Sequence, residues 1–151
     1  MLANSDGHRA HLTLLIIYEW VQAFYGCIEC AANFNEEWAD EGGADVSGHI
    51  SSSLWLWRVH NMVRGRLTEE DDTVDPKPQW PSLAQCEKCY TEDYRNETAL
   101  LAAAGGAAAA PTHEFQAHVW DDQYVFAYLQ ETFCAGSDTF YCASFTDTDA
   151  K

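Results

Sequence analysis

The chain reads as an all-α protein, a helical bundle, and three observations predict it. Apolar side chains recur at three- and four-residue intervals through residues 12–25, 27–40, 54–67 and 119–133, the spacing that lines one face of a helix. Breakers stand at the ends of these stretches, at Gly26, Gly42-Gly43 and the prolines Pro76, Pro78 and Pro81. No run alternates apolar and polar residues in the way a half-buried strand requires.

Length and composition agree with one domain over residues 1–151. The chain is long enough for a real core, and six Trp, seven Tyr and seven Phe argue against disorder. A formal net charge of −16 repels nucleic-acid phosphates and anionic membranes, so both are set aside as partners. No apolar run is long enough to span a bilayer. The six cysteines fall by spacing into three local pairs, Cys27/Cys30, Cys86/Cys89 and Cys134/Cys142, out of fifteen connectivities open to them, and an even count suits an oxidising compartment.

Taken in order, residues 1–10 read as a frayed start. The first helix, 12–25, brings Leu14, Ile17, Val21 and Phe24 to one face. Its apolar opening is interrupted by Glu19, which favours a packed helix over a signal-peptide core. After Gly26 a second helix begins at Cys27, with Cys30, Phe34 and Trp38 one turn apart. A Cys-x-x-Cys pair at a helix start can bring its sulfurs together, and the helix dipole there lowers a thiol pKa. That arrangement serves thiol–disulfide exchange; the same spacing also serves a structural disulfide or half of a zinc site.

Residues 46–53 read as a serine-rich loop, with Ser51, Ser52 or Ser53 capping the third helix. That helix carries an ordinary apolar stripe, Leu56, Val59 and Val63, and beside it the row Trp57, His60, Asn61 and Arg64. An aromatic, an imidazole, an amide and a guanidinium make a poor core but suit a flat, phosphorylated cofactor. A solvated stripe with a snorkelling Trp is the alternative.

The acidic run 69–72 reads as a solvated turn. The prolines that follow fix an extended path that carries Trp80, to close over a ligand or plug the core. Ser82 is placed to cap a short helix bearing Cys86 and Cys89, read as a stapling disulfide. Residues 99–112 are a low-complexity Ala/Gly connection. His113 and His118 are spaced poorly for a shared metal, and no metal site is expected. The last helix, 119–133, turns Trp120, Tyr124, Ala127 and Tyr128 toward the core. Residues 134–151 form a tail in which Cys134 and Cys142 are either a structural bridge or a mobile shuttle dithiol.

Four blocks, FYGCIECAANF, LWLWRVHNMVRGRL, DPKPQWPSLAQCEKCY and VWDDQYVFAYL, resemble in order the Erv/ALR flavin-dependent sulfhydryl oxidase domain, above all the C-terminal oxidase domain of quiescin sulfhydryl oxidases. The resemblance implies a four-helix bundle with a short extra helix, binding FAD. It implies that Cys27 accepts electrons from incoming thiols and Cys30 faces the flavin. It assigns FAD contacts to Glu29, Trp57, His60, Asn61, Val63, Lys77 and Trp80, and it makes Cys86 and Cys89 the second Cys-x-x-Cys.

This chain departs from the pattern at Arg64, where the family has Asn, and at Asn33, where a His is common. The family's first helix is expected to lie ahead of residue 14, and the chain starts too late to hold it. The implied activity is oxidation of protein dithiols with reduction of O2 to H2O2. The implied partners are thiol-containing proteins or an upstream thioredoxin-like domain, with a homodimer compatible. The implied location is the secretory pathway, with the mitochondrial intermembrane space as the alternative. Against this stands a helical interaction domain without oxidase activity, stapled by disulfides or binding zinc through Cys27, Cys30, Cys86 and Cys89.

Overall fold

The computed structural model describes residues 7–70, 78–104 and 115–134. Among them are five α-helices: α1 (Gly7–Phe24), α2 (Ile28–Asp40), α3 (His49–Glu70), α4 (Glu92–Ala103) and α5 (Asp122–Cys134). Three single 3-10 turns lie between them, and the described residues contain no strand beyond one isolated bridge between Tyr90 and Trp120. The all-α expectation holds. The chain divides into two compact units, Met1–Leu56 with Gln130–Lys151, and Trp57–Leu129.

The first unit is built on aromatic packing between its helices. Tyr18 of α1 stacks on Trp38 of α2 with ring centroids 4.5 Å apart, and its hydroxyl donates to Asn35 Oδ1 at 2.7 Å. Trp38 meets Trp55 of α3 edge-on at 5.3 Å, and Phe34 meets Trp55 at 6.1 Å. Each such pair contributes about 0.5–1.5 kcal/mol beyond its buried area. Trp55 Nε1 donates to Glu41 O at 2.9 Å, so the buried indole leaves no orphaned donor. Gly43 is required here by space: a Cβ would come within 2.6 Å of the Trp38 ring and 2.9 Å of Trp55. Gly42, at φ +63°, takes the left-handed conformation that ends α2.

In the second unit Tyr90, Trp120 and Trp57 form a continuous cluster, with centroid separations of 4.3 Å and 5.0 Å. Tyr90 donates to Pro81 O at 2.7 Å. Two backbone bonds, Thr91 N to Val119 O and Asp121 N to Cys89 O, fasten the segments leading into α4 and α5. Asp121 caps α5 by accepting from the backbone N–H of Gln123 and Tyr124 at 3.1 and 3.2 Å.

Several boundaries differ from expectation. Gly7–Ala10 belong to α1 rather than to a frayed start. The serine-rich segment is not a capping loop: α3 begins at His49, and Ser53 bonds back to His49 O at 2.7 Å from inside the helix. The short helix of Cys86 and Cys89 is a turn followed by a 3-10 turn, Glu87–Cys89. The start of the Ala-rich connection is the end of α4, where alanine's helix propensity prevails. On α5 the buried face is Val125, Phe126 and Leu129; Tyr124 is exposed and Ala127 lies outward.

Candidate active site

Cys27 is the N-cap of α2, in extended conformation at φ −93° and ψ 101°. Helix N-caps ordinarily offer an oxygen to the orphaned N–H groups of the first turn. Here a sulfur does so: Cys27 Sγ accepts the Cys30 N–H at 3.2 Å. Cys27 and Cys30 are joined as a disulfide, and both residues are exposed. The same N–H that caps the helix would stabilise a thiolate on Cys27 once the bond opens, and the helix dipole adds to this. Glu29 lies exposed in that first turn and Asn33 is half-buried one turn further on. Gln22 Nε2 donates to Ala31 O at 3.4 Å, a tie from α1 to the helix start.

The second unit brings four of the expected residues, Trp57, His60, Asn61 and Arg64, to the segment that carries Trp80. Asn61 is fully buried, and both ends of its amide are spent on the Trp80 backbone. Its Nδ2 donates to Trp80 O, and its Oδ1 accepts the Trp80 N–H, each at 2.7 Å. Trp57, also buried, donates from Nε1 to the same Trp80 O at 2.7 Å. Gln79 donates to Asn61 O at 3.2 Å and Arg64 Nε to Pro78 O at 3.0 Å. Trp57 and Asn61 therefore act on Trp80 and fix the backbone that carries its indole. The half-buried Trp80 ring meets His60 and Tyr128 edge-on, at 6.2 and 5.6 Å. Partial burial, and then the Arg64 charge, hold the His60 pKa below the usual imidazole value, so its ring is neutral at pH 7. Val63 is half-buried on the same helix. Lys77 lies outside the described residues.

The second Cys-x-x-Cys is also a disulfide, Cys86–Cys89, in different surroundings. Cys89 is completely buried and its sulfur lies 3.5 Å from Tyr124 O on α5. With all four sulfurs bonded in local pairs, the zinc alternative through Cys27, Cys30, Cys86 and Cys89 does not stand. Cys134 is the last residue of α5. Its side chain, like Cys142 and His113, lies outside the described residues, while His118 is exposed.

Sequence reasoning missed how Asn61 and Gln79 engage the proline segment, because a buried amide at helical spacing gives no sign of its partner. It also placed Phe24 on one face with Leu14, Ile17 and Val21, whereas Leu14 is buried, Ile17 and Val21 are half-buried and Phe24 at the helix end is 74% exposed.

The Erv1 / Alr family matches residues 3–81, a stretch that holds the exposed disulfide and the whole Trp57–Trp80 arrangement. This chain belongs to that family. Among its relatives, "Sulfhydryl oxidase 1" of Gallus gallus is 32% identical over 120 residues, covering 78% of this chain and 13% of the relative. "Sulfhydryl oxidase 2" of Homo sapiens is 43% identical over 75 residues, 48% of this chain and 11% of the relative. A solved structure, "Sulfhydryl Oxidase Fragment of Human QSOX1", superimposes with a TM-score of 0.61 at 27% identity, covering 87% of this chain and 46% of that one. This Erv1 / Alr chain thus spans only a small part of the length of the curated relatives it matches.

Proposed function

We propose that this chain is a flavin-linked thiol oxidase that accepts an electron pair from protein dithiols at Cys27–Cys30. The observation that carries the reading is the exposed disulfide at the start of α2, with an N–H already directed at Cys27 Sγ. Sulfhydryl oxidase relatives support it. A substrate thiolate attacks Cys27 Sγ; the Cys27–Cys30 bond breaks and Cys30 leaves as thiolate. The second substrate thiolate then attacks the substrate sulfur of the mixed disulfide. The substrate departs as a disulfide, and the electron pair stays on the Cys27/Cys30 dithiol. The Cys30 N–H and the α2 dipole favour the Cys27 thiolate as it leaves.

The donor set of the second unit fits flavin adenine dinucleotide. Trp80 offers an indole held by its own backbone, His60 a neutral imidazole and Arg64 a guanidinium suited to phosphate. These three would hold the cofactor, with Trp57 and Asn61 as positioning residues behind Trp80. When bound, the flavin supplies the path for the electron pair from a reduced dithiol to dioxygen, which becomes hydrogen peroxide. The reading goes with thiol-bearing protein partners, a thioredoxin-like donor among them, and with an oxidising, secretory-type compartment. No helix among the described residues is long and apolar enough to cross a membrane.

The test is the visible spectrum of the purified chain, with oxygen uptake, before and after anaerobic dithiothreitol. A flavin band that bleaches and returns in air, with peroxide formed, is expected. A chain that stays colourless with added flavin adenine dinucleotide and consumes no oxygen overturns the reading.

A further inference from the structure

Of the five asparagines in the chain, only Asn96 stands two residues ahead of a Ser or Thr, in Asn96-Glu97-Thr98. With a residue other than proline between them, that triplet is an acceptor for an N-linked oligosaccharide in a secreted protein. It works only where the Asn has room for a bulky sugar and the hydroxyl is within reach when the sugar is transferred. Asn96 meets the first condition: it is exposed on α4, on one face with Leu100, four residues on and 72% exposed. Thr98 sets the timing. It is the one buried residue of α4, and its hydroxyl donates to Tyr94 O one turn back. In the folded chain that hydroxyl is covered and already bonded. A twelve-residue helix that buries one side chain has little to hold it alone, since isolated helices shorter than about 12–15 residues are marginal in water. Until the second unit packs, the segment is open chain with both groups of the triplet on offer.

We propose that Asn96 is the acceptor of an N-linked oligosaccharide, added before α4 forms and lying over Leu100 in the folded chain. This rests on the secretory-type reading of the compartment and goes beyond the thiol chemistry. In the transfer, Asn96 Nδ2 forms a bond to the anomeric carbon of an oligosaccharide carried on a diphospholipid. The bond from that carbon to the diphosphate oxygen breaks, the diphospholipid leaves with the electron pair, and Nδ2 gives up one proton. Nothing is oxidised or reduced. The sugar brings a hydrated surface to the stretch of α4 where Leu100 and Leu101 are exposed.

The test secretes the full chain from cultured eukaryotic cells behind a cleavable leader and maps its peptides by mass, with and without peptide-N-glycosidase. A sugar mass on the Asn96 peptide is expected, with Asp left at that position on release. Asn96→Gln, an exposed change that leaves the core intact, and Thr98→Ala should both lose it; Thr98→Ser, which keeps the hydroxyl, should retain it. A bare Asn96 in the secreted chain overturns the inference. Given solubilised oligosaccharide transferase and its lipid-linked donor, the folded bacterial chain should stay bare, and the reduced, alkylated chain should accept sugar. Transfer to the folded chain at an equal rate overturns the proposed order. On heating, Asn96→Gln should scatter light at a lower temperature than the secreted parent, and Leu100→Ser should remove that difference; equal onsets overturn the place given to the sugar. On the chain from the cells that make it, a bare Asn96 defeats the secretory placement and the inference with it. Oxygen uptake keeps the readings apart: a sugar on Asn96 without thiol-dependent uptake defeats the oxidase reading alone, whereas uptake with a bare Asn96 defeats this inference alone.

Discussion

The two Cys-x-x-Cys disulfides have the same spacing and opposite surroundings. Cys27–Cys30 caps a thirteen-residue helix, with both residues exposed and a backbone N–H on the first sulfur. Cys86–Cys89 closes a single 3-10 turn, and Cys89 is buried against α5. Spacing thus allows a disulfide, while access and the helix behind it decide whether the bond exchanges electrons or holds chain together. The largest expected effect tests this division. Cys30→Ser should reduce thiol-dependent oxygen uptake to background while leaving the melting temperature close to that of the parent. Full turnover in that variant would remove the exposed disulfide from the chemistry.

The next effect is kinetic. Under limiting dithiothreitol, alkylation should label Cys27 and Cys30 faster than Cys86 and Cys89, by on the order of tenfold or more, because the attacking thiolate needs access to a sulfur. Equal labelling would erase the contrast. Replacing the second pair, Cys86→Ser/Cys89→Ser, should cost about 2 kcal/mol from loss of so short a cross-link, a fall of roughly 4–8 °C in Tm. Reduction of Cys27–Cys30 should proceed as before. A variant of unchanged Tm with slowed oxidation would reverse the roles given to the two pairs.

The helices that place the exposed pair were legible because their signals are local. The Gly26-Cys27 break, the turn-by-turn spacing of Phe34 and Trp38, and the Gly42-Gly43 stop all survive into the structure. Where tertiary contacts decide, the sequence misled. The serines at 51–53 resemble caps, but Leu54 and Trp55 are buried and α3 extends back to His49 beneath them. Ahead of α5 the expected inward Trp120 is buried, but on the helix Tyr124 and Ala127 face outward and Val125, Phe126 and Leu129 take the core. The Trp57, His60, Asn61, Arg64 row was visible, but its division of labour was not. A buried amide that clamps another segment's backbone and an imidazole set edge-on to its ring look alike in a list of polar residues.

Asn61→Ala sharpens that division. Trp80 O keeps the Trp57 Nε1 donor, but the Trp80 N–H loses its acceptor. An unsatisfied buried donor costs about 1–3 kcal/mol, and this half-buried one should cost toward the lower end, about 1 kcal/mol, which denaturant unfolding should register. An unchanged midpoint would mean that the Trp80 segment does not depend on Asn61.

The smallest effect lies at His60 and is a matter of sign. Its folded-state pKa is lowered, first by partial burial and then by Arg64, so the unfolded chain binds this proton more readily than the folded one. Stability therefore rises with pH where His60 titrates. Its contribution is fully favourable above the ordinary imidazole value near 6.5 and is lost as pH falls below it, until the folded group also protonates. Against His60→Gln, the wild-type chain should lose relative stability between pH 7.5 and pH 5, and the loss should shrink in an Arg64→Gln background. Urea midpoints of the four proteins at the two pH values would measure it. A relative gain in the wild type on acidification would mean that the imidazolium is held by a partner, and would reverse the neutral role given to His60 beside Trp80.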